Sequence, residues 1–316
     1  MSISTSPYQA VPAPQRVLIA IDGSTASAHA LAYAKCFVPS HASVHIVSVA
    51  ENPRTLVSLG SQTTAFLEAA RDELHKDASD SLSRAKNAMA RDDITIDTEC
   101  IDLSNHGGDI VHALVESAEA WQAELLIVGA RQHHGLLRWI EGTISGPLGK
   151  FICCPLLIVP EGFASVAEHL PRRMLFAVDG SPLALHALRV GLQVSKPDTE
   201  FRAIYVLDRA VSLGDFVPVA TLEGALLAEG NRALQEATAI LDGATGQPQS
   251  HLIQTDRTGA DVSHAIVHEA IEWNADMIVM GTHGRRGITG WIVGSVAGRV
   301  ARITKTPVLL VNSPRA

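Results

Sequence analysis

Residues 16–24, Arg16-Val17-Leu18-Ile19-Ala20-Ile21-Asp22-Gly23-Ser24, return as Arg173-Met174-Leu175-Phe176-Ala177-Val178-Asp179-Gly180-Ser181. Each copy is a short apolar run closed by Asp-Gly-Ser, the pattern of a buried strand that turns into a helix. Further along, Asp109-Ile110-Val111-His112-Ala113 through Trp121 matches Asp261-Val262-Ser263-His264-Ala265 through Trp273; 261 − 109 and 273 − 121 both give 152. That offset also sets Gly129, Gly135, Trp139 and Gly142 on Gly281, Gly287, Trp291 and Gly294. A fixed self-similarity of this length marks a tandem duplication.

Within a copy, strand and helix patterns alternate. The first copy predicts strand Val17–Ile21, a helix from Thr25 to Phe37, strand Val44–Val49 and a long helix over Thr64–Ala90. Strand Ile94–Ile101, helix Asp109–Trp121, strand Leu125–Val128, a helix after Gly142 and strand Leu156–Val159 follow. Strands rich in β-branched residues without polar alternation are buried on both faces. The fold expected is α/β: two tandem doubly wound, open, parallel five-stranded sheets with helices on both faces, Rossmann-like. The domains are expected at 14–161 and 171–314, with Glu161–Pro171 as a short linker. In the second copy, Asp208–Gly230, with Gly214, Pro218 and Gly224, predicts a loop leading into a helix over Asn231–Leu241. The apolar last strands, Leu156–Val159 and Val308–Val311, are edge strands that need covering and are expected to pair with each other.

Composition narrows the partners. With 25 Lys+Arg against 33 Asp+Glu the formal charge is −8, which disfavours nucleic acid and an anionic membrane surface. Residues 1–15 lack a basic segment followed by an apolar core, and no apolar run reaches membrane-spanning length. The four cysteines, Cys36, Cys100, Cys153 and Cys154, form no disulfide or zinc spacing, so a reducing cytoplasm is the simplest setting. His264 and His268, four apart on a predicted helix beside Glu269, lack a third metal ligand, so no metal site is assigned.

The stretch that bears on function is Met280-Gly281-Thr282-His283-Gly284 through Gly294-Ser295-Val296. It links the strand pattern Met277–Met280 to a helix pattern, where free backbone N–H groups and the positive helix end favour an anion. It fits neither the P-loop nor the dinucleotide fingerprint. A glycine turn that merely allows close strand-to-helix packing is the competing reading.

Gly281-x2-Gly284-x9-Gly294-Ser295 resembles the ATP-binding signature of the universal stress protein family, and the likeness extends from about Arg16 to Asn312 as two such domains in tandem. The resemblance implies an adenine nucleotide alpha hydrolase-like fold and ATP, with Mg or Mn, held mainly in the second domain. It places the first-strand end Ala177, Val178 and Asp179 by adenine and ribose, and Val206 at the adenine-facing backbone. Met280, Gly281, His283, Gly284, Gly294, Ser295 and Val296 fall at the phosphates. Asp179 also reads as a helix-entry residue together with Ser181. Two positions depart from the family. Ala297 stands where a hydroxyl residue is usual, and in the first copy Gly129-Ala130-Arg131-Gln132 puts glutamine at the second glycine, although Gly142, Thr143 and Ser145 are kept. The first site then holds no ligand, a nucleotide in another pose, or a different small molecule.

No nucleophile, base and orienting group stand at a catalytic spacing, so no catalytic residue is assigned. Three classes compete: an ATP-binding stress-response or signalling module whose occupancy modulates assembly or partner binding, a slow ATP hydrolase, and a scaffold dimer without nucleotide. Expected partners are adenine nucleotide, a second tandem chain forming a homodimer, and an unidentified protein.

Overall fold

The computed structural model describes residues 12–36, 38–56, 64–130, 154–163, 171–209, 219–244, 247–255, 261–284 and 294–313. Two compact units have Pro14–Val166 and Ala167–Ser313 as their bodies.

The first unit runs β1 (Arg16–Ile21), α1 (Thr25–Lys35), β2 (Ser43–Ala50), α2 (Pro53–Leu56), α3 (Thr64–Met89), β3 (Thr95–Asp102), α4 (Leu103–His106), α5 (Ile110–Ala120), β4 (Leu125–Ala130) and β5 (Leu156–Pro160). Its strand order is β3-β2-β1-β4-β5. The pairs are parallel, with Ala20 opposite Val47 on one side and Val128 on the other. The chain therefore winds outward from β1 in both directions, and the order reverses between β1 and β4.

The second unit repeats the plan with β6 (Arg173–Ala177), α6 (Pro182–Gln193), β7 (Glu200–Leu207), α7 (Val219–Asp242), β8 (Gln249–Gln254), α8 (Val262–Glu272), β9 (Met277–Gly281), α9 (Ser295–Ile303) and β10 (Val308–Val311). Its strand order, β8-β7-β6-β9-β10, is again parallel and places the reversal between β6 and β9.

Helix entries follow the sequence. Ser24 caps α1 by accepting from Ser27 N at 3.2 Å, and Ser181 caps α6 by accepting from Ala184 N at 3.1 Å, with Pro182 at the first helical position. Asp109 and Asp261 cap α5 and α8. The central strands are buried through their middles: Leu18, Ile19, Phe176, Ile278 and Leu310 are at most 1% exposed. Burial on both faces explains the unbroken apolar runs.

Two expectations need correction. The ten strands form one sheet, ordered β3-β2-β1-β4-β5-β10-β9-β6-β7-β8, and not two separate five-stranded sheets. Counting strands copy by copy ends each sheet at β5 or β10, yet these are fully buried apolar strands, which a sheet does not leave as open edges. The segment predicted as a loop up to Gly230 is helical from Val219 onward. Gly224 and Gly230 each cost a helix about 1 kcal/mol, but the Ala, Leu and Glu around them are strong helix formers. Gly230 also lies where a β-carbon would come within 2.8 Å of the Tyr205 ring, so close packing of α7 on β7 selects it. The helix expected after Gly142 lies outside the described residues.

Candidate functional site

Strand register assembles one rim of the second unit. Ala177, the last residue of β6, stands opposite Met280 on β9 and Ile204 on β7, and Val178 N donates to Ile204 O at 2.9 Å. Val206 lies two residues further along β7, and Gly281 ends β9 opposite Val311. Ala177, Val178, Val206, Met280 and Gly281 thus come to the carboxyl ends of three neighbouring strands, at the reversal of strand order. In open α/β sheets that crevice is where ligands bind.

From β6 the chain turns through Asp179-Gly180-Ser181. Asp179 Oδ1 accepts from Ser181 N at 3.0 Å, and Gly180 takes φ +78°, which a side chain would resist. The helix-entry role of Asp179 is therefore present. Its second oxygen does something else: a β-carbon on Gly284 would lie 2.8 Å from Asp179 Oδ2. The strand-end carboxylate and the second glycine of the stretch face each other directly.

Thr282 fastens the loop at both ends. Its N donates to Val311 O at 2.8 Å, continuing the β9–β10 ladder, and its O accepts from Gly294 N at 2.6 Å. Gly294 caps α9 with extended backbone and, being glycine, brings no capping side chain to the first N–H groups of that helix. Ser295 is exposed there, Val296 is half-buried and Ala297 is buried. Arg285 and Arg286 lie outside the described residues.

His283 shares a 3.0 Å hydrogen bond between its Nδ1 and Thr282 Oγ1. Its Nε2 is buried without a hydrogen-bond partner among the described residues, and burial pushes the imidazole pKa below its ordinary 6.5. A buried ring nitrogen in a rim loop is a polar group waiting for a partner.

The glycines serve different ends. A β-carbon on Gly281 would meet Leu183 Cγ of α6 at 2.9 Å, and one on Gly129 would overlap the Ala26 carbonyl and Ser27 N of α1. The first glycine in each copy is thus explained by strand-to-helix packing. Gly284 is exposed, and among the described residues a β-carbon there would meet the Asp179 carboxylate alone, so hydrophobic packing against them does not account for it. Leu183 and Thr282 are the rim residues that sequence reasoning missed. The counterpart of Leu183 in the first copy, two past the capping serine, is Ala26, so the repeat gives no signal for it.

In the first unit the same turn is built from Asp22, whose Oδ1 accepts from Ser24 N at 3.0 Å, and Gly23 at φ +72°. Arg131, Gln132, Gly142, Thr143 and Ser145 lie outside the described residues. His264 and His268 bind carboxylates of their own helix region, Asp261 at 3.0 Å and Glu272 at 3.3 Å. Glu269 turns inward instead, to Arg202 at 2.7 Å. Among the described residues no three His, Cys, Asp or Glu side chains are grouped to hold a metal, and no helix is long and apolar enough to cross a membrane.

Comparison with known proteins follows this geometry. The model of the universal stress protein family matches residues 14–160 and 171–312. A universal stress protein of Mycobacterium tuberculosis is 26% identical over 196 residues, covering 60% of this chain and 62% of that protein. The chain thus spans less than two thirds of the length of this relative. A universal stress protein of Methanocaldococcus jannaschii is 31% identical over 153 residues, 47% of this chain and 86% of that protein. The solved structure of a universal stress protein from Archaeoglobus fulgidus matches with a TM-score of 0.58 at 19% identity, over 96% of this chain and 99% of that one, a likeness of fold. With both repeats matched over nearly their full length, the chain belongs to the universal stress protein family as a tandem two-domain member.

Proposed function

We propose that the second unit binds ATP, as the Mg or Mn complex, and that its occupancy modulates assembly or partner binding, which makes the chain a stress-response or signalling module. The observation that carries this reading is the approach of Gly284 to Asp179 at the strand-order reversal, beside a helix end whose N-cap is a glycine.

Adenine would lie against Ala177, Val178 and Val206, where apolar walls and main-chain groups suit a flat base. Asp179 would accept from the ribose. Backbone N–H groups at Gly281, His283, Gly284 and Val296, with the Ser295 hydroxyl, would hold phosphate oxygens beside Gly294, whose own N–H is taken by Thr282 O, assisted by the α9 dipole. His283 Nε2 supports the reading as a buried polar atom at the loop. The metal ion would neutralise phosphate charge next to the Asp179 carboxylate. Glycine at position 284 leaves room that a glutamine, the residue the first copy has at 132, would fill, so the first unit is expected to bind ATP weakly or not at all.

One observation favours the scaffold reading in part: Gly281 is required for packing on Leu183 whether or not nucleotide binds. Native mass spectrometry of freshly purified protein tests both readings at once. One adenine nucleotide per chain, and a change in oligomer on its removal, is the expected result. Protein that carries none and gives no heat with Mg-ATP overturns the proposal. Turnover of bound ATP would instead identify the slow hydrolase.

A further inference from the structure

The sheet ends on β3 in the first unit and on β8 in the second, and duplication makes the two edges copies of one strand. Arg16 and Arg173 pair with Ser43 and Glu200, so His45 and Arg202 are counterparts; His45 stands opposite Asp97, and Arg202 opposite Gln249. The offset of 152 then sets Asp97, Glu99, Cys100 and Asp102 of β3 on Gln249, His251, Leu252 and Gln254 of β8. None of the three acids of the first edge recurs on the second, and a cysteine has become leucine. Charged side chains keep a sheet edge from pairing. The strand β3 carries that guard, and β8 has lost it.

The backbone of β8 is open on that side. Thr255 N donates to Leu207 O at 3.0 Å, and Val206 stands opposite Ile253. Alternate residues of a parallel strand bond to the neighbour, so Gln249, His251 and Ile253 serve β7, while Ser250, Leu252 and Gln254 turn N–H and C=O outward. Among the described residues no strand pairs there. Ser250 and Gln254 are exposed, and Leu252 and Ile253 are apolar residues left half-buried at the rim. Leu252 lies on the α7 face, where a β-carbon on Gly230 would meet its Cδ1 at 3.0 Å; His251 lies on the α8 face, its Nδ1 3.2 Å from Glu269 Oε1.

We propose that β8 is the contact surface for a second copy of this chain, joined antiparallel about a two-fold axis through Leu252. In that register Leu252 meets Leu252 of the second copy, Ser250 meets Gln254, and His251 meets Ile253, so no like charges face each other. Ser250, Leu252 and Gln254 each exchange both main-chain hydrogen bonds with the residue opposite. An edge paired with itself closes, so the product is a dimer and not a fibre. Charge selects this end of the chain for the contact: residues 167–316 hold 14 Lys+Arg against 15 Asp+Glu, whereas residues 1–166 hold 11 against 18. Copies that meet through β8 bring their nearly neutral halves together, and copies that met through β3 would oppose their acidic ones.

Sedimentation velocity of the full chain from about 1 to about 200 µM should show monomer giving way to dimer, since a strand-sized contact is smaller than a standard interface. Ser250→Pro removes a donor on the free side and no bond of the β7 ladder, and Leu252→Lys sets two like charges opposite each other. Each should raise the dimer dissociation constant at least about tenfold, with the far-ultraviolet dichroism kept. Thr98→Pro, the matching change on β3, should leave it unaltered. In the unmutated chain, amide exchange at Ser250, Leu252 and Gln254 should slow as concentration rises, a readout that needs no variant to fold. A chain that stays monomeric throughout that range, a dimer indifferent to Ser250→Pro, or one without added protection at these amides overturns the proposal. Growth beyond the dimer that Thr98→Pro abolishes overturns it as well, since β3 of one copy would then join β8 of the next.

Discussion

Asp179 Oδ2 lies 2.8 Å from the point where a β-carbon on Gly284 would sit. The distance couples the end of β6 to the loop after β9, and any side chain at 284 must either push the carboxylate aside or project into the crevice. Gly284→Gln, which copies Gln132, should abolish ATP binding by calorimetry and lower the melting temperature by only a degree or two, because Gly284 is exposed. Undiminished ATP affinity in this variant would remove the loop from the phosphate site.

Gly129 and Gly281 answer to packing, and their neighbours differ in how far they can yield. Gly129→Ala drives a methyl into the backbone of α1 and should cost about 3 kcal/mol in urea denaturation, whereas Gly281→Ala meets the Leu183 side chain, which can turn, and should cost about 1 kcal/mol. Equal costs would mean that α1 shifts as readily as a leucine side chain.

The Arg202–Glu269 pair is largely buried, and Arg202 lies over Trp273. Arg202→Ala leaves Glu269 inside with only His251 at 3.2 Å, and should destabilise by about 3–5 kcal/mol. Arg202→Met combined with Glu269→Leu removes both charges and should recover most of that loss. The denaturation midpoints of the single and double variants decide the point, and a double variant no better than the single one would contradict it.

Acid should act in two stages. Burial depresses the His283 pKa below 6.5, so the unfolded chain takes up the proton first, and stability is lost as pH falls below 6.5. At Asp109 and Asp261, burial raises the carboxyl pKa but is outweighed by amide and imidazole hydrogen bonds, joined at Asp261 by the Arg299 charge. Both end below 3.8, and a depressed carboxyl contributes stability above its unfolded value that is lost as pH falls through the folded one. In melting temperature against pH, His283→Asn should flatten the first fall. Asp109→Asn and Asp261→Asn, which keep a capping side chain, should flatten the second.

Most of the architecture was legible because duplication states each pattern twice: Asp-Gly-Ser after β1 and β6, and capping Asp109 and Asp261 before α5 and α8. The single ten-stranded sheet was half legible: periodicity reports burial within a copy and not where a sheet ends, but the expected pairing of Leu156–Val159 with Val308–Val311 joins the halves, and β5 does stand beside β10. The start of α7 was misread because Gly224 and Gly230 look like breakers until the Tyr205 ring is seen to need Gly230. At the rim, Asp179 and the glycine stretch were visible by spacing. Leu183 was not, because a leucine in an apolar helix face gives no sign of which backbone it crowds.

Thr282 meets Val311 through its N–H and Gly294 through its carbonyl, so β9, β10 and the start of α9 are joined through a single residue. The chain that leaves Thr282 comes back to it at Gly294, so the loop begins and ends on one clasp. Closing a longer loop adds cost only slowly with length. A change of length between these two residues therefore bears on the crevice at Asp179 and Gly284 far more than on the sheet.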